Sequence, residues 1–429
     1  MKWVKIAGLI VAVLVIAVFA LMGYQYTTRG TPIRRVQPLD SRASPAISDT
    51  AFRRSVALLT RTDLQSGNHV EPLFNGNGTF PRIWQDLRDA RQTVLVQLYY
   101  FQPGALADSL KRILRERSAA GVRTYVLLDA FGAQNMSDAY LDSLRSAGVR
   151  VAELRPLRWY SLNKAQHRSH VRAIIVDGRV AYTGGFGVAD KWQGDGHAPE
   201  QWRETNVRFS GPAVAQLQAA FYAGWGEATG ELMTGQSAFN TPSDTGGQIA
   251  GLLHAEPALG STSAERFVVL TINGARRTLY ITNSYFVPDD DFRRMLRAAA
   301  RRGVDVRVLT AGEGTDVGVV RQASRYHYEE LLRGGVRIYE YRPTMLHAKT
   351  IVADGQWSTI GTMNFDNRSF ALNDESNLII EDAGLGRVLE RQFLDDLRFS
   401  DEIRLPVFAQ RSLASKAIER LASAWARVL

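Results

Sequence analysis

The sequence of 429 residues predicts an α/β protein. Two similar α/β halves are expected in a pseudo-twofold arrangement, preceded by an N-terminal transmembrane helix. Three observations carry this expectation. Strand-like and helix-like patterns recur in the same order twice, each copy closes on a histidine motif of the same spacing, and the chain opens with a basic start followed by an apolar run.

Met1-Lys-Trp-Val-Lys5 leads into an uninterrupted apolar stretch from Ile6 to Gly23. That is close to the roughly 20 residues that span a bilayer. A cleaved signal peptide also begins with basic residues and an apolar core. Here Ala17-Val-Phe-Ala20 has the wrong spacing for cleavage, and Leu21, Met22 and Tyr24 follow, so an uncleaved single-pass membrane anchor is expected. Lys2 and Lys5 on one side balance Arg29, Arg34 and Arg35 on the other, so flanking charge sets no orientation. Residues 1–30 are the anchor and 31–70 a polar connector with short helical content.

The first half, 71–234, contains the β-branched and aromatic run Thr93–Phe101. A helical pattern at Leu106, Leu110, Ile113 and Leu114 follows, then a strand pattern from Gly121 to Asp129. The second half, 248–429, repeats this with Thr278–Pro288, a helix around Met295, Leu296 and Ala299, and Gly303–Leu309. Another helix follows in each copy, ending at Ala147–Val151 and Gly334–Ile338; then His170–Val176 and His347–Val352 read as buried strands. Strands alternating with helices imply a largely parallel sheet covered on both faces. Residues 235–247 are turn-forming and mark the linker. At the C-terminus Leu413, Ala417, Leu421, Trp425 and Val428 share a helical face opposite Arg411, Lys416 and Arg420. Such a helix suits either a bilayer surface or packing on the second half.

The net charge of +9 suits an acidic partner such as anionic lipid or nucleic acid, although its charges are scattered. The chain has no cysteine and no histidine–carboxylate cluster at metal-ligand spacing, so neither a metal nor another cofactor is expected. The chemistry lies in the repeat. His170-Val-Arg172 with Asp177 is answered by His347-Ala-Lys349 with Asp354 and, beyond it, Gly361-Thr-Met-Asn364. Two facing imidazoles suit displacement at a phosphodiester: one attacks phosphorus, the other protonates the leaving oxygen, and the roles then reverse. An imidazole holds either protonation state near neutrality. Lys349, Arg172 and Asn364 are donors of the type that the charged transition state needs.

These residues resemble the phospholipase D superfamily, whose signature is the duplicated H-x-K-x4-D motif, and within it the bacterial cardiolipin synthase branch. The resemblance runs from about Phe74 to the C-terminus. It is densest at Asn283–Pro288, Arg302–Arg307, Leu346–Thr350 and Asn364–Ser369, with Gly184-Gly-Phe186, Trp202-Arg-Glu-Thr205 and Gly211-Pro-Ala213 upstream. It implies that His170 is the nucleophile and His347 the general acid and base. It also implies that Glu375 and Glu204 each bond a catalytic histidine, reaching across to His170 and His347 respectively. Asp177 and Asp354 belong to the motif, with loop anchoring as their physical role. Two positions depart from the family pattern: Arg172 stands for lysine, and Gly187 for asparagine. Arginine can fork onto a phosphate but does not replace lysine freely at a tight site.

The activity implied is phosphatidyl transfer between phosphatidylglycerol molecules at a membrane, in a pocket lined by apolar groups such as Tyr285, Phe286 and Val287, with no nucleic-acid partner. A hydrolase acting on a phospholipid or nucleic-acid backbone would use the same residues. A membrane scaffold with a decayed first half is the rival from another class.

Overall fold

The computed structural model describes residues 2–27, 32–40, 43–156, 166–235, 238–239, 244–258 and 260–424. Parts of three sequence expectations therefore lie outside the described residues: six residues of the 235–247 linker, Arg29 after the anchor, and Trp425 and Val428 on the last helix.

Helix α1 (Lys2–Thr27) is followed by α2 (Thr50–Thr60). The first half then runs β1 (Gln65–Phe74), α3 (Asn75–Asp89), β2 (Thr93–Leu98), α4 (Ala105–Ala119), β3 (Arg123–Asp129), α5 (Asp138–Arg145) and β4 (Arg150–Leu154). It closes with β5 (Ala173–Val176), β6 (Val180–Gly184), β7 (Thr205–Ser210) and α6 (Ala213–Thr229). The second half repeats the order: β8 (Gln248–Ala255), α7 (Ser263–Gly274), β9 (Thr278–Asn283), α8 (Asp290–Arg301), β10 (Asp305–Ala311), α9 (Gly318–Arg333) and β11 (Arg337–Tyr341). β12 (Lys349–Ala353), β13 (Trp357–Gly361), α10 (Asn367–Ala371), β14 (Glu375–Glu381) and α11 (Ala383–Leu397) complete it. β15 (Ser400–Ile403), α12 (Leu405–Phe408) and α13 (Leu413–Ala424) follow.

Local sequence explains these elements. In α8, Asp289 accepts the Phe292 backbone N–H at 3.0 Å, Asp290 and Asp291 sit at the positive end of the helix, and Phe292, Met295, Leu296 and Ala299 form its buried stripe. Strand β2 is buried throughout. Its alternation sends Val94, Val96 and Leu98 into one core and Leu95 into another.

All strands join one sheet in the order β15-β11-β10-β9-β12-β13-β14-β8-β1-β7-β6-β5-β2-β3-β4. Leaving β15 aside, the order read outward from the β8–β1 joint is the same in both directions, which is the pseudo-twofold relation. The joint is short, Gln65 opposite Ala250 and Asn68 opposite Gln248, and the Gln248 side chain accepts the Val70 N–H at 2.6 Å. Buried cores also cross it: one cluster combines Leu73, Phe80 and Trp192 with Tyr341, Leu346 and Phe393.

The expectation of a largely parallel sheet is corrected. Only β2-β3-β4 and β9-β10-β11 are parallel; the other pairings are antiparallel. The reason is local. Asp177-Gly178 and Asp354-Gly355 have positive φ, 54° and 61° in one turn and 54° and 67° in the other. Such turns match the twist of a tight hairpin, so each histidine strand folds straight back on itself rather than crossing over through a helix.

β1 begins at Gln65, inside the stretch read as connector, and Ile33, Ile47, Phe52 and Val56 of that stretch pack on the core of the second half. Helix α13 packs on α9. It buries Glu419 and Ala422, while Leu413 (85% exposed), Ile418 and Leu421 face outward. Among the described residues no helix is long and apolar enough to cross a membrane.

Candidate active site

Each histidine precedes a short strand and is fixed by the backbone of the other half. His170 donates its N–H to the Asp374 carbonyl at 2.9 Å, and His347 donates to the Arg203 carbonyl at 2.7 Å. The residues before the histidines, Ser169 and Leu346, bridge Asp374 and Arg203 in the parallel sense. Because Asp374 and Arg203 immediately precede Glu375 and Glu204, these bridges carry each carboxylate onto the opposite histidine. His170 Nδ1 lies 3.0 Å from Glu375 Oε2, and His347 Nδ1 lies 2.7 Å from Glu204 Oε2. Arg203 locks the crossing through a buried fork on Asp396 of α11, at 3.0 and 2.7 Å.

Both carboxylates are fully buried, and both are held by further donors. Glu375 accepts Ser369 Oγ at 2.6 Å and the Thr362 hydroxyl. Glu204 accepts the Thr205 backbone N–H at 2.9 Å and the Trp192 indole N–H at 3.2 Å.

His170, Arg172, His347 and Asn364 line a cavity of about 460 Å³ together with Tyr99, Trp192, Trp202, Tyr285, Asp316, Asp366 and Arg368. Lys349 lies beneath it, its ammonium donating to Ser284 Oγ at 2.7 Å. Arg172 Nη2 is 3.1 Å from His170 Nε2, while its Nε and Nη1 are buried with no hydrogen-bond partner among the described residues. A buried guanidinium with idle donors beside a histidine suits an oxyanion.

Aromatic rings wall the site. Tyr99 stands edge-on to His170 with centroids 5.0 Å apart, and Trp202 lies 5.0 Å from His347. Of the three residues expected to make the wall apolar, only Tyr285 reaches the cavity; Phe286 packs on Phe365, and Val287 joins the cluster under α9.

Asp177 and Asp354, expected to anchor loops, do not line the cavity. They sit at the far ends of their strands, where Asp177 accepts the backbone N–H groups of Arg91, Gln92 and Thr93 and Asp354 those of Arg276, Arg277 and Thr278, at 2.7 to 3.0 Å for the shortest contacts. Both hold the hairpin turn against the start of the neighbouring strand.

Charge in the cavity follows burial. Desolvation lowers the His170 imidazole to about 4, although Glu375 pulls it upward. Burial also holds His347 well below its ordinary value, and Lys349, Arg172 and His170 push the same way. Lys349 falls to about 7, mainly by burial. Burial raises Glu204 against the pull of Lys349; at Glu375 burial would do the same, but His170, Ser369 and Thr362 outweigh it and the group ends below its usual range. Burial thus favours the neutral form of both imidazoles, each with Nδ1 against a carboxylate. Among the described residues no group of histidine and carboxylate side chains is arranged to hold a metal ion.

The sequence reading missed Tyr99, Trp192, Thr362 and Ser369. The last two lie inside stretches matched to the family, but only the fold shows that their hydroxyls meet Glu375.

The family model described as cardiolipin synthase, PLD-like domain, matches residues 83–225 and 268–397, one segment in each half. Cardiolipin synthase A of Pseudomonas fluorescens is 34% identical over 380 residues, covering 88% of this chain and 78% of the relative. Cardiolipin synthase of Geobacillus kaustophilus is 35% identical, covering 81% and 70%. Among solved structures, phosphatidylserine synthase of Haemophilus influenzae superposes with a TM-score of 0.67 over 89% of this chain and 98% of its own; at 11% identity the likeness is one of fold.

Proposed function

Because the chain belongs to the phospholipase D-like family of cardiolipin synthases, we propose that it moves a phosphatidyl group from one phosphatidylglycerol to a hydroxyl of a second, making cardiolipin and glycerol. The observation that carries this reading is the crossed pair of dyads, His170–Glu375 and His347–Glu204, opening on one cavity.

With Nδ1–H directed at Glu375, His170 has its nucleophilic lone pair on Nε2, which Arg172 Nη2 must give up to the incoming phosphate. Attack on phosphorus forms the P–N bond and breaks the bond to the glycerol oxygen, which takes a proton from His347 Nε2. His347 must therefore carry a proton when substrate is bound. The phosphodiester anion supplies the condition, since a negative charge entering the cavity favours the imidazolium that burial disfavours. In the second step His347 removes the proton of the incoming lipid hydroxyl, that oxygen attacks phosphorus, and the P–N bond breaks. Glu375 and Glu204 hold the tautomers and stabilise the transient imidazolium charges. Arg172 and Asn364, which line the cavity, and the buried Lys349 charge beside it stabilise the equatorial oxygens.

We further place α1 in a bacterial plasma membrane as a single-pass anchor. Its 26 residues extend about 39 Å at 1.5 Å per residue, and the exposed side chains of Leu9, Ile10, Leu14, Ile16 and Phe19 suit acyl chains. An enzyme held there meets lipid hydroxyls at high local concentration. In mixed micelles of phosphatidylglycerol the purified protein is expected to give cardiolipin and glycerol in near-equal amounts with little phosphatidic acid. Dominant phosphatidic acid would make it a hydrolase, and cleavage of oligonucleotides without lipid turnover would make it a nuclease.

A further inference from the structure

Gly184 and Gly361 end equivalent strands, β6 and β13, at the same spacing from His170 and His347. Counting on from them, Gly187 corresponds to Asn364 and Trp192 to Ser369. In the second half the larger side chain is Asn364 and the smaller is Ser369, whose hydroxyl donates to Glu375 at 2.6 Å. In the first half the sizes are exchanged. A Cβ placed on Gly187 would lie 2.8 and 2.9 Å from the six-membered ring of Trp192, so the indole occupies the space that a side chain at Gly187 would need. From there its N–H reaches Glu204 Oε2 at 3.2 Å, and its ring stands edge-on to His347 with centroids 5.3 Å apart.

The geometry points to Trp192 as the positioning residue of the Glu204–His347 dyad, doing with an indole N–H what Ser369 does for Glu375 with a hydroxyl, and to Gly187 as the vacancy in side-chain bulk that admits it. This rests on the two-histidine reading above. The departure at Gly187 is then one side of a compensated exchange rather than decay of the first half.

The chemistry follows from the donor. An N–H on a buried carboxylate favours its ionised form. Glu204 must be ionised to orient His347 and carry it through the imidazolium state. The other groups acting on this dyad are the Thr205 N–H on Oε1, Lys349 and Arg172, which favour the Glu204 anion, and Lys191 and His170, whose charges bear on His347. Arg203, next in sequence, is engaged by Asp396. None of these replaces a donor placed on Oε2 itself.

Two sets of variants test this in the full-length protein, with phosphatidylglycerol in mixed micelles as substrate. Trp192→Phe keeps a ring and removes the N–H. It is expected to lower kcat about tenfold or more, the scale of one hydrogen bond to a charged group, and to shift the acidic limb of the pH profile to higher pH. Unchanged turnover with an unchanged limb would overturn the proposal. Gly187→Asn alone is expected to collapse activity, and Gly187→Asn with Trp192→Ser to recover at least tenfold over it, with thermal unfolding reporting that both are folded. A double variant no better than folded Gly187→Asn, or a Gly187→Asn variant as active as the parent, would equally overturn it. His347→Ala separates the two levels: full turnover there refutes the two-histidine reading and this proposal with it, whereas an inactive His347→Ala beside an indifferent Trp192→Phe removes this proposal alone.

Discussion

Replacing Asp396 by alanine would strip the Arg203 guanidinium of its carboxylate fork. Arg203 is 1% exposed and Asp396 2% exposed, so the cation would stay charged in a site that water does not reach. What remains to it are the neutral oxygens of the Glu204 carbonyl, Thr205 and Asn75. Breaking a buried pair from one side costs about 3–5 kcal/mol. For 429 residues, an unfolding entropy of about 2.1 cal/mol/K per residue converts that to roughly 3–6 °C in Tm. The pair joins the strand entering β7 to α11, and the Arg203 backbone carries Glu204 to His347, so turnover should fall at temperatures where the protein is still folded. Differential scanning calorimetry and initial rates of lipid transfer, taken on the same preparation, measure the two effects. Replacing both members, Arg203→Met with Asp396→Leu, should restore most of the stability, because a well-packed apolar pair leaves no orphaned charge. If Asp396→Ala moves Tm by less than about 1 °C, or leaves the rate unchanged, the idea that this fork fixes the crossing of the halves is wrong.

Three other expectations concern the chemistry. His170→Ala and His347→Ala should each abolish turnover, because nucleophile and acid act as a unit, and mass spectrometry of a quenched reaction should find the phosphatidyl adduct on His170 only; an adduct on His347 would reverse the roles. Arg172→Lys should keep much of the activity while Arg172→Ala loses about tenfold or more, and indifference to Arg172→Ala would leave Lys349 as the sole clamp. Lys349, held near 7 by burial, should lose its proton as pH rises through that value. The free-enzyme profile, kcat/KM, should therefore fall on the alkaline side from about pH 7, and Lys349→Arg should abolish or raise that limb if the variant is active; an identical limb in an active Lys349→Arg variant would assign it to another group.

The catalytic repeat was legible because its residues are close in sequence and twice present. Helices such as α8 were legible as well, since capping and stripe are local. The sheet's sense was not: alternating strands and helices suggest largely parallel pairing, although Asp177-Gly178 and Asp354-Gly355 are hairpin signals in their own right. The same turns explain Asp177 and Asp354, which a spacing rule gathers with the histidines but which an extended strand carries to its opposite end. Trp192 and Ser369 were beyond reach because their partners, Glu204 and Glu375, are brought close by the return of another strand. For the apolar wall, Tyr285, Phe286 and Val287 alternate along an extended segment, so the three could not all point to the cavity.

The crossing of the carboxylates has a consequence for how the two copies can change. Neither half holds a complete dyad: a fragment ending before β8 would carry His170 without Glu375, and Glu204 without His347. Each copy is thus a component rather than a smaller enzyme, and the unit on which selection can act is a dyad shared between copies. Internal symmetry is then free to lapse wherever a change in one dyad leaves the other intact, and the two histidines can become specialists while the backbone that carries them stays duplicated.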